Sequence, residues 1–198
     1  MSYTKEFEIV DLILQSGGRT LGVDAFALSL IKCERQARRL VTHLVFQNRA
    51  FGKSDKQPLR STLAANVDVY FEGVLRGFDA LSPVSLRTLV GTEYDRLSAR
   101  IKEAGRHRNK VFHGQITADG LNRAQLEAYV SDIRLWCSTL ADGATREFHY
   151  DGFSNSLRSD IPELTSRLRM KIASIEEYQT FIKQHMAKKG SRRPGGRK

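Results

Sequence analysis

Apolar residues recur along this chain at intervals of three and four rather than two, a spacing that predicts helices almost throughout. Phe7, Val10 and Leu14 mark a short amphipathic helix that ends at Gly17-Gly18. From about Val23 to Asn48, Phe26, Leu30, Cys33, Ala37, Leu40 and Leu44 form a core-facing stripe. The opposite face of that segment holds Lys32, Arg35, Arg38 and Arg39, with Glu34 placed to pair with Arg38 at i,i+4. After the polar link Gly52-Lys-Ser-Asp-Lys-Gln57, Pro58 opens a third helix from a first-turn position. Its stripe is Leu63, Val67, Tyr70, Val74 and Leu81, thickened by Phe71, Leu75 and Phe78. Gly73 and Gly77 lie one turn apart in it. Glycine weakens a helix, so the pair predicts that another backbone comes close there.

Ser82-Pro83 reads as N-cap and first residue of a fourth helix carrying Leu86, Val90, Tyr94, Leu97, Ile101 and Ala104 on one stripe. A fifth begins with a capping box of Asn122 and Gln125, flanked by Leu121 and Leu126 in staple positions. Leu126, Tyr129, Ile133, Trp136 and Leu140 follow as its buried stripe. Ser174 and Glu177 form another box ahead of a last helix through Tyr178, Phe181 and Ile182. Arg146 to Phe153 is the one stretch suited to an extended piece. The expectation is an all-α antiparallel bundle of about five to six helices spanning residues 1–188, followed by a basic, disordered tail over 189–198.

Composition adds limits. A chain of 198 residues, 40% hydrophobic and 27% charged, is large enough to bury one core without disulfides or a structural metal. No apolar run has the length of a membrane span, and the polar start from Met1 to Glu8 is unlike a signal peptide, so a cytoplasmic protein with no membrane partner is expected. Cys33 and Cys137 sit in apolar stripes and read as small core residues in a reducing cytosol. Nothing has a zinc-ligand spacing, a Walker loop or a dinucleotide-binding turn, so no metal and no cofactor is expected. The net charge of +10 is uneven: the seven basic residues from Lys183 onward face no acidic ones, and without them 25 basic stand against 22 acidic residues. Such an end attracts nucleic acid non-specifically or simply aids solubility.

The chemistry concentrates at Arg108-Asn-Lys-Val-Phe-His113-Gly114. Continuing the fourth stripe past Ala104 lands on Arg108, a guanidinium on a face that should be buried. An unpaired one there is costly, so that face must open onto a cleft, a carboxylate or a second subunit, provided the helix runs through Gly105. His113 follows, with Gly114 in a C′ position, and shares a face with Asn109; the helix dipole there favours imidazolium, a proton donor near neutral pH. On residue chemistry alone, a His113 that merely caps the helix and an Arg108 that extends to water explain the same pattern. Arg38 and His43 repeat the interval, but in mid-helix, with Arg39 in place of Asn109 and no terminal glycine; they read as basic surface with His43 near the core edge. Arg106 is placed to assist Arg108. His107 is an outside candidate, and His149 and His185 have no evident partners.

Arg108-Asn-Lys-Val-Phe-His113 resembles the Arg-polar-x-x-x-His signature of the HEPN superfamily of small helical proteins, many of them metal-independent ribonucleases of toxin–antitoxin, abortive-infection and CRISPR systems. Val23-Asp-Ala-Phe26, Glu34-Arg-Gln-Ala-Arg-Arg39 and Asp151-Gly-Phe153 are similar to prokaryotic HEPN proteins of plasmids and defence loci, which extends the likeness over about the first four-fifths of the chain. The resemblance implies Arg108 and His113 as catalytic residues with Asn109 as polar helper; RNA contacts are expected from Arg106 and Lys110 beside them and from the basic helix face of Arg35, Arg38 and Arg39. It also implies a homodimer with two such motifs facing one cleft, and an antitoxin or other regulatory partner. The implied reaction is attack of an RNA 2′-OH on the adjacent phosphate, leaving a cyclic phosphate. Toxins of this kind that are silenced by nucleotidyl transfer carry tyrosine two residues after the histidine, where this chain has Gln115. Some relatives instead bind nucleotides or act as non-catalytic modules, which leaves a helical nucleic-acid-, nucleotide- or partner-binding module as the alternative.

Overall fold

Tyr3–Gln15 (α1) and Leu21–Phe46 (α2) follow the first two stripes closely. The computed structural model describes residues 3–112, 121–154, 157 and 161–188, the side chains of 109–112 excepted. The expected tail, 189–198, is outside that range. Every apolar residue of the α2 stripe, from Phe26 to Leu44, is buried. Part of its polar face is covered as well. Lys32 is only 7% exposed and donates to Glu6 of α1 at 3.0 Å, while Arg35 reaches the other oxygen of that carboxylate at 3.3 Å. The Lys32 charge is therefore kept by pairing rather than by water, while Arg35 remains partly exposed.

The third and fourth expected helices are each split. Lys56–Ala64 (α3) and Phe71–Leu81 (α4) are separate, and Val67 and Tyr70, expected in the core stripe, stand 84% and 58% exposed. Asn66 and Asp68 around Val67 are turn formers that compete with helix, and here they prevail over the apolar period. The next helix starts later than Ser82-Pro83. Ser82 follows the last residue of α4, and Ser85 caps Leu86–Val90 (α5) by accepting a bond from the Thr88 N–H. Gly91, at φ 79°, then breaks the chain before Tyr94–Phe112 (α6).

The capping box of Asn122 and Gln125 forms reciprocally, each side chain meeting the other's N–H at 2.9 Å, and starts Arg123–Phe148 (α7). Leu126, Tyr129, Ile133, Trp136 and Leu140 are all buried. α7 continues through the stretch that looked extended, ending on His149 in the left-handed region at φ 54°; no strand occurs among the described residues. Pro162–Arg167 (α8) was not expected. Ser174 caps Ile175–Phe181 (α9), with the Glu177 carboxylate turned back to the Ala173 N–H rather than to Ser174 itself. A π-helical turn, Ile182–Met186, completes the described chain.

That turn meets the two glycines of α4. A Cβ on Gly73 would collide with the Met186 carbonyl, and one on Gly77 with the Met186 side chain. Gly73→Ala, which in an open helix stabilises, is expected here to cost about 1–3 kcal/mol by overpacking. A circular-dichroism melt should show Tm falling by roughly 3–10 °C; an unchanged or higher Tm would contradict the contact. Both cysteines are free and buried. Cys33 and Cys137 face one another, and burial first, then that neighbouring thiol, holds Cys137 well above the usual thiol range.

Candidate functional site

α6 is unbroken through Gly105, so the stripe register carries past it: Ala104 is fully buried, and Arg108 lies one turn further on the same face. Its side chain is 22% exposed, and Nη1 donates to Glu34 Oε1 at 2.6 Å. Glu34 thus serves Arg108 of α6, not the Arg38 of its own helix that i,i+4 spacing favoured. Arg38 instead donates from Nη2 to the Val69 carbonyl at 2.7 Å, which closes off the turn between α3 and α4. A tertiary partner wins because charge-assisted bonds to a partly desolvated carboxylate exceed a solvated surface pair.

Glu34, Arg38 and Arg108 line a cleft of about 610 Å³. Its walls come from α2, the turn before α4, the start of α4, α6 and the chain end at Met186 and Lys188. Six cations (Arg38, Arg76, Lys102, Arg106, Arg108 and Lys188) face two carboxylates, Glu34 and Glu72. Polar charge rings a floor made apolar by Val69, Phe71, Ile101 and Met186. Such a surface attracts a polyanion that also has something flat or apolar to bury.

A second cleft of about 300 Å³ adjoins the first through shared Glu34 and Arg38, and adds Arg35, Arg39 and Arg60. Arg39 donates to the Phe153 carbonyl at 2.7 Å, which ties the cleft to the segment after α7. Burial, then the neighbouring Arg35 and Arg60 charges, pull the Arg39 guanidinium below its ordinary value. Burial likewise pushes the Tyr150 phenol up to about 12. Guanidinium groups held this close repel one another, and an anion between them relieves that repulsion.

The RNA-contact residues expected from sequence therefore divide. Arg38 and Arg106 line the cleft of Arg108, with Arg106 exposed; Arg35 and Arg39 line the adjoining one. The side chains of Asn109 and Lys110 lie outside the described residues, as do His113, Gly114 and Gln115. Sequence reasoning missed Lys102, Arg60 and Tyr70. Arg60 and Tyr70 follow from breaking the third helix, and Asn66 and Asp68 were the available signal for that break.

His43, the histidine of the duplicated interval, is fully buried rather than at the core edge. Its Nε2–H donates to the Phe148 carbonyl at 3.1 Å, Nδ1 faces the Gln47 amide at 3.5 Å, and the ring stacks on Tyr150 at 4.7 Å. Burial holds its pKa down, to about 4. It is a neutral core residue. His107, 9% exposed, packs its ring against Tyr129 at 5.6 Å, beside a different pocket lined by Arg100 and Glu103. His185 stacks on Phe181 at 4.9 Å.

No family model, curated protein or solved structure matches the chain. Among the described residues, no group of three or more His, Cys, Asp or Glu is placed to hold a metal ion, and no helix is long and apolar enough to cross a membrane.

Proposed function

We propose that this chain is a cytoplasmic HEPN-type helical bundle that works as a homodimeric, metal-independent endoribonuclease, with Arg108 and His113 as its catalytic pair. One observation carries the reading: a guanidinium placed on a core stripe by an unbroken helix is turned into a strongly basic cleft, where it meets the Glu34 carboxylate. Glu34, 26% exposed, stays wet enough to exchange for a phosphate oxygen. The exchange replaces one anion by another on Arg108 and leaves Glu34 in clefts that also hold Arg35 and Arg38.

In the proposed reaction the 2′-OH attacks the adjacent phosphorus, the P–O5′ bond breaks, and a 2′,3′-cyclic phosphate and a 5′-OH remain. The 2′-OH gives up its proton to water as its oxygen attacks, Arg108 stabilises the charge that gathers on the phosphorane oxygens, and His113 passes a proton to the departing 5′ oxygen. A second chain would bring its own motif to the same cleft. The excess of cations also fits the alternative, a module that binds RNA without cutting it.

Incubation of purified protein with total RNA in EDTA separates the two. Products with 2′,3′-cyclic phosphate and 5′-OH ends are expected. Binding without cleavage selects the alternative, and products with 3′-OH ends refute the proposed chemistry. Arg106→Ala removes an exposed cation. It should weaken binding without regard to sequence and reduce the slope of log affinity against log salt by about one, with Tm unchanged. An unaltered salt slope would place Arg106 away from RNA.

A further inference from the structure

Tyr70 is the only aromatic among the strongly exposed large apolar residues described, at 58%. It caps α4 in extended backbone, at φ −84° and ψ 168°, and stands on the wall of the cleft that holds Arg108. Its side chain makes no hydrogen bond, ion pair or ring contact among the described residues. The other five tyrosines are buried or stacked: Tyr3 on Phe7, Tyr94 on Trp136, Tyr129 on Phe26 and Tyr150 on His43, with Tyr178 fully buried. An aromatic ring left in water costs hydrophobic free energy that its neighbours here do not recover.

Gly105 lines the same cleft from α6. It occupies the interior of a helix, where glycine weakens the fold, yet a Cβ there would meet nothing within 4 Å. This differs from Gly73, whose missing side chain makes room for Met186. At Gly105 none of the described residues fills the space a side chain would take. The omission keeps the cleft open to something from outside, with Lys102 and Arg106 beside it.

Resting on the ribonuclease reading above, we infer that Tyr70 and Gly105 form a slot that takes one unpaired nucleobase of the RNA. The ring supplies a stacking platform, Gly105 clearance on the α6 side of the same cleft, and Arg38, Lys102 and Arg106 hold the flanking phosphates. A duplex keeps its base faces stacked inside and has none to offer Tyr70.

The test uses a fluorescein-labelled 2′-O-methyl oligoribonucleotide, which lacks the nucleophile and is not cut. It is presented single-stranded and annealed to its complement, to wild type, Tyr70→Ala, Tyr70→Trp and Gly105→Leu. Wild type should prefer the single strand. Tyr70→Ala should weaken that binding about ten-fold or more, the loss of one base stack, and leave duplex binding unchanged. Tyr70→Trp should retain affinity, and its emission should be quenched by the single strand alone, because Trp136 is fully buried and contributes a constant background. Gly105→Leu should raise Tm by about 2–3 °C while weakening single-strand binding. On a cleavable RNA both losses should fall on KM rather than kcat. Wild-type affinity in Tyr70→Ala and Gly105→Leu overturns the slot and leaves the ribonuclease reading standing. Failure of wild type to bind or cut either RNA overturns both. A changed oligomeric state of the variants in sedimentation assigns the two residues to a subunit interface and overturns the slot.

Discussion

Arg108→Ala should lower RNA cleavage by about 10²–10³-fold, the usual cost of removing one preorganised donor from a developing oxyanion. The fold should survive it. Glu34 is left without its partner, but at 26% exposed it is reached by water, so the stability loss should stay near 1 kcal/mol, a Tm drop of about 2–4 °C. Arg108→Lys keeps the charge but not the planar fork, and should fall between wild type and alanine. His113→Ala should cost about 10²–10⁴-fold through loss of proton transfer, with little change in substrate affinity. Rates are to be measured on one defined RNA alongside thermal melts. Wild-type cleavage by folded Arg108→Ala removes the catalytic assignment altogether.

The second large effect belongs to the other member of the duplicated interval. His43 is buried with a pKa near 4, against about 6.5 in an unfolded chain. Between those values the unfolded chain takes up a proton that the folded chain refuses. Its contribution to stability is therefore complete above pH 6.5 and is lost as pH falls toward 4, at up to about 1.4 kcal/mol per pH unit and about 3 kcal/mol in all. Desolvation is the main cause. The bond from Nε2–H to the Phe148 carbonyl opposes it, and nearby His149 adds to it. His43→Gln keeps an amide donor in reach of that carbonyl and cannot titrate. Urea unfolding of wild type and variant at intervals from pH 7.5 to 4.5 should show the wild-type curve falling more steeply. Parallel curves would mean that His43 accepts a proton while folded.

These two pairs show what the sequence could and could not reveal. Both have arginine five positions before histidine, and local pattern distinguished them by helix position, the neighbouring residue, the terminal glycine and the apolar stripe that Arg108 continues. That Arg108 lies on the α6 stripe was legible, because a period of three and four carried through Gly105. Its partner was not. Glu34 is 74 positions away, and local spacing pointed it at Arg38. The capping box at Asn122 and Gln125 was legible because every bond in it lies within four residues. The break between α3 and α4 was misread because Val67, Tyr70 and Val74 kept helical spacing while Asn66 and Asp68 opposed it. That one error hid a wall of each cleft, Tyr70 in the larger and Arg60 in the adjoining one. Gly73 and Gly77 were read correctly as a place of close approach, although nothing local could say that Met186 would occupy it.

The seat of Met186 on α4 also bears on the order in which the protein is made. Arg76, on the cleft wall, bonds the Met186 carbonyl across 110 positions of chain, and Met186 and Lys188 complete that wall. Domains fold as units while the ribosome delivers them from the N-terminus. Arg108, Glu34 and Tyr70 are thus synthesised well before the surface that encloses them. On the proposed reading, a nascent chain would carry Arg108 past ribosome and messenger with one wall of its cleft still missing, and full RNA binding would wait for Met186 and Lys188 to arrive.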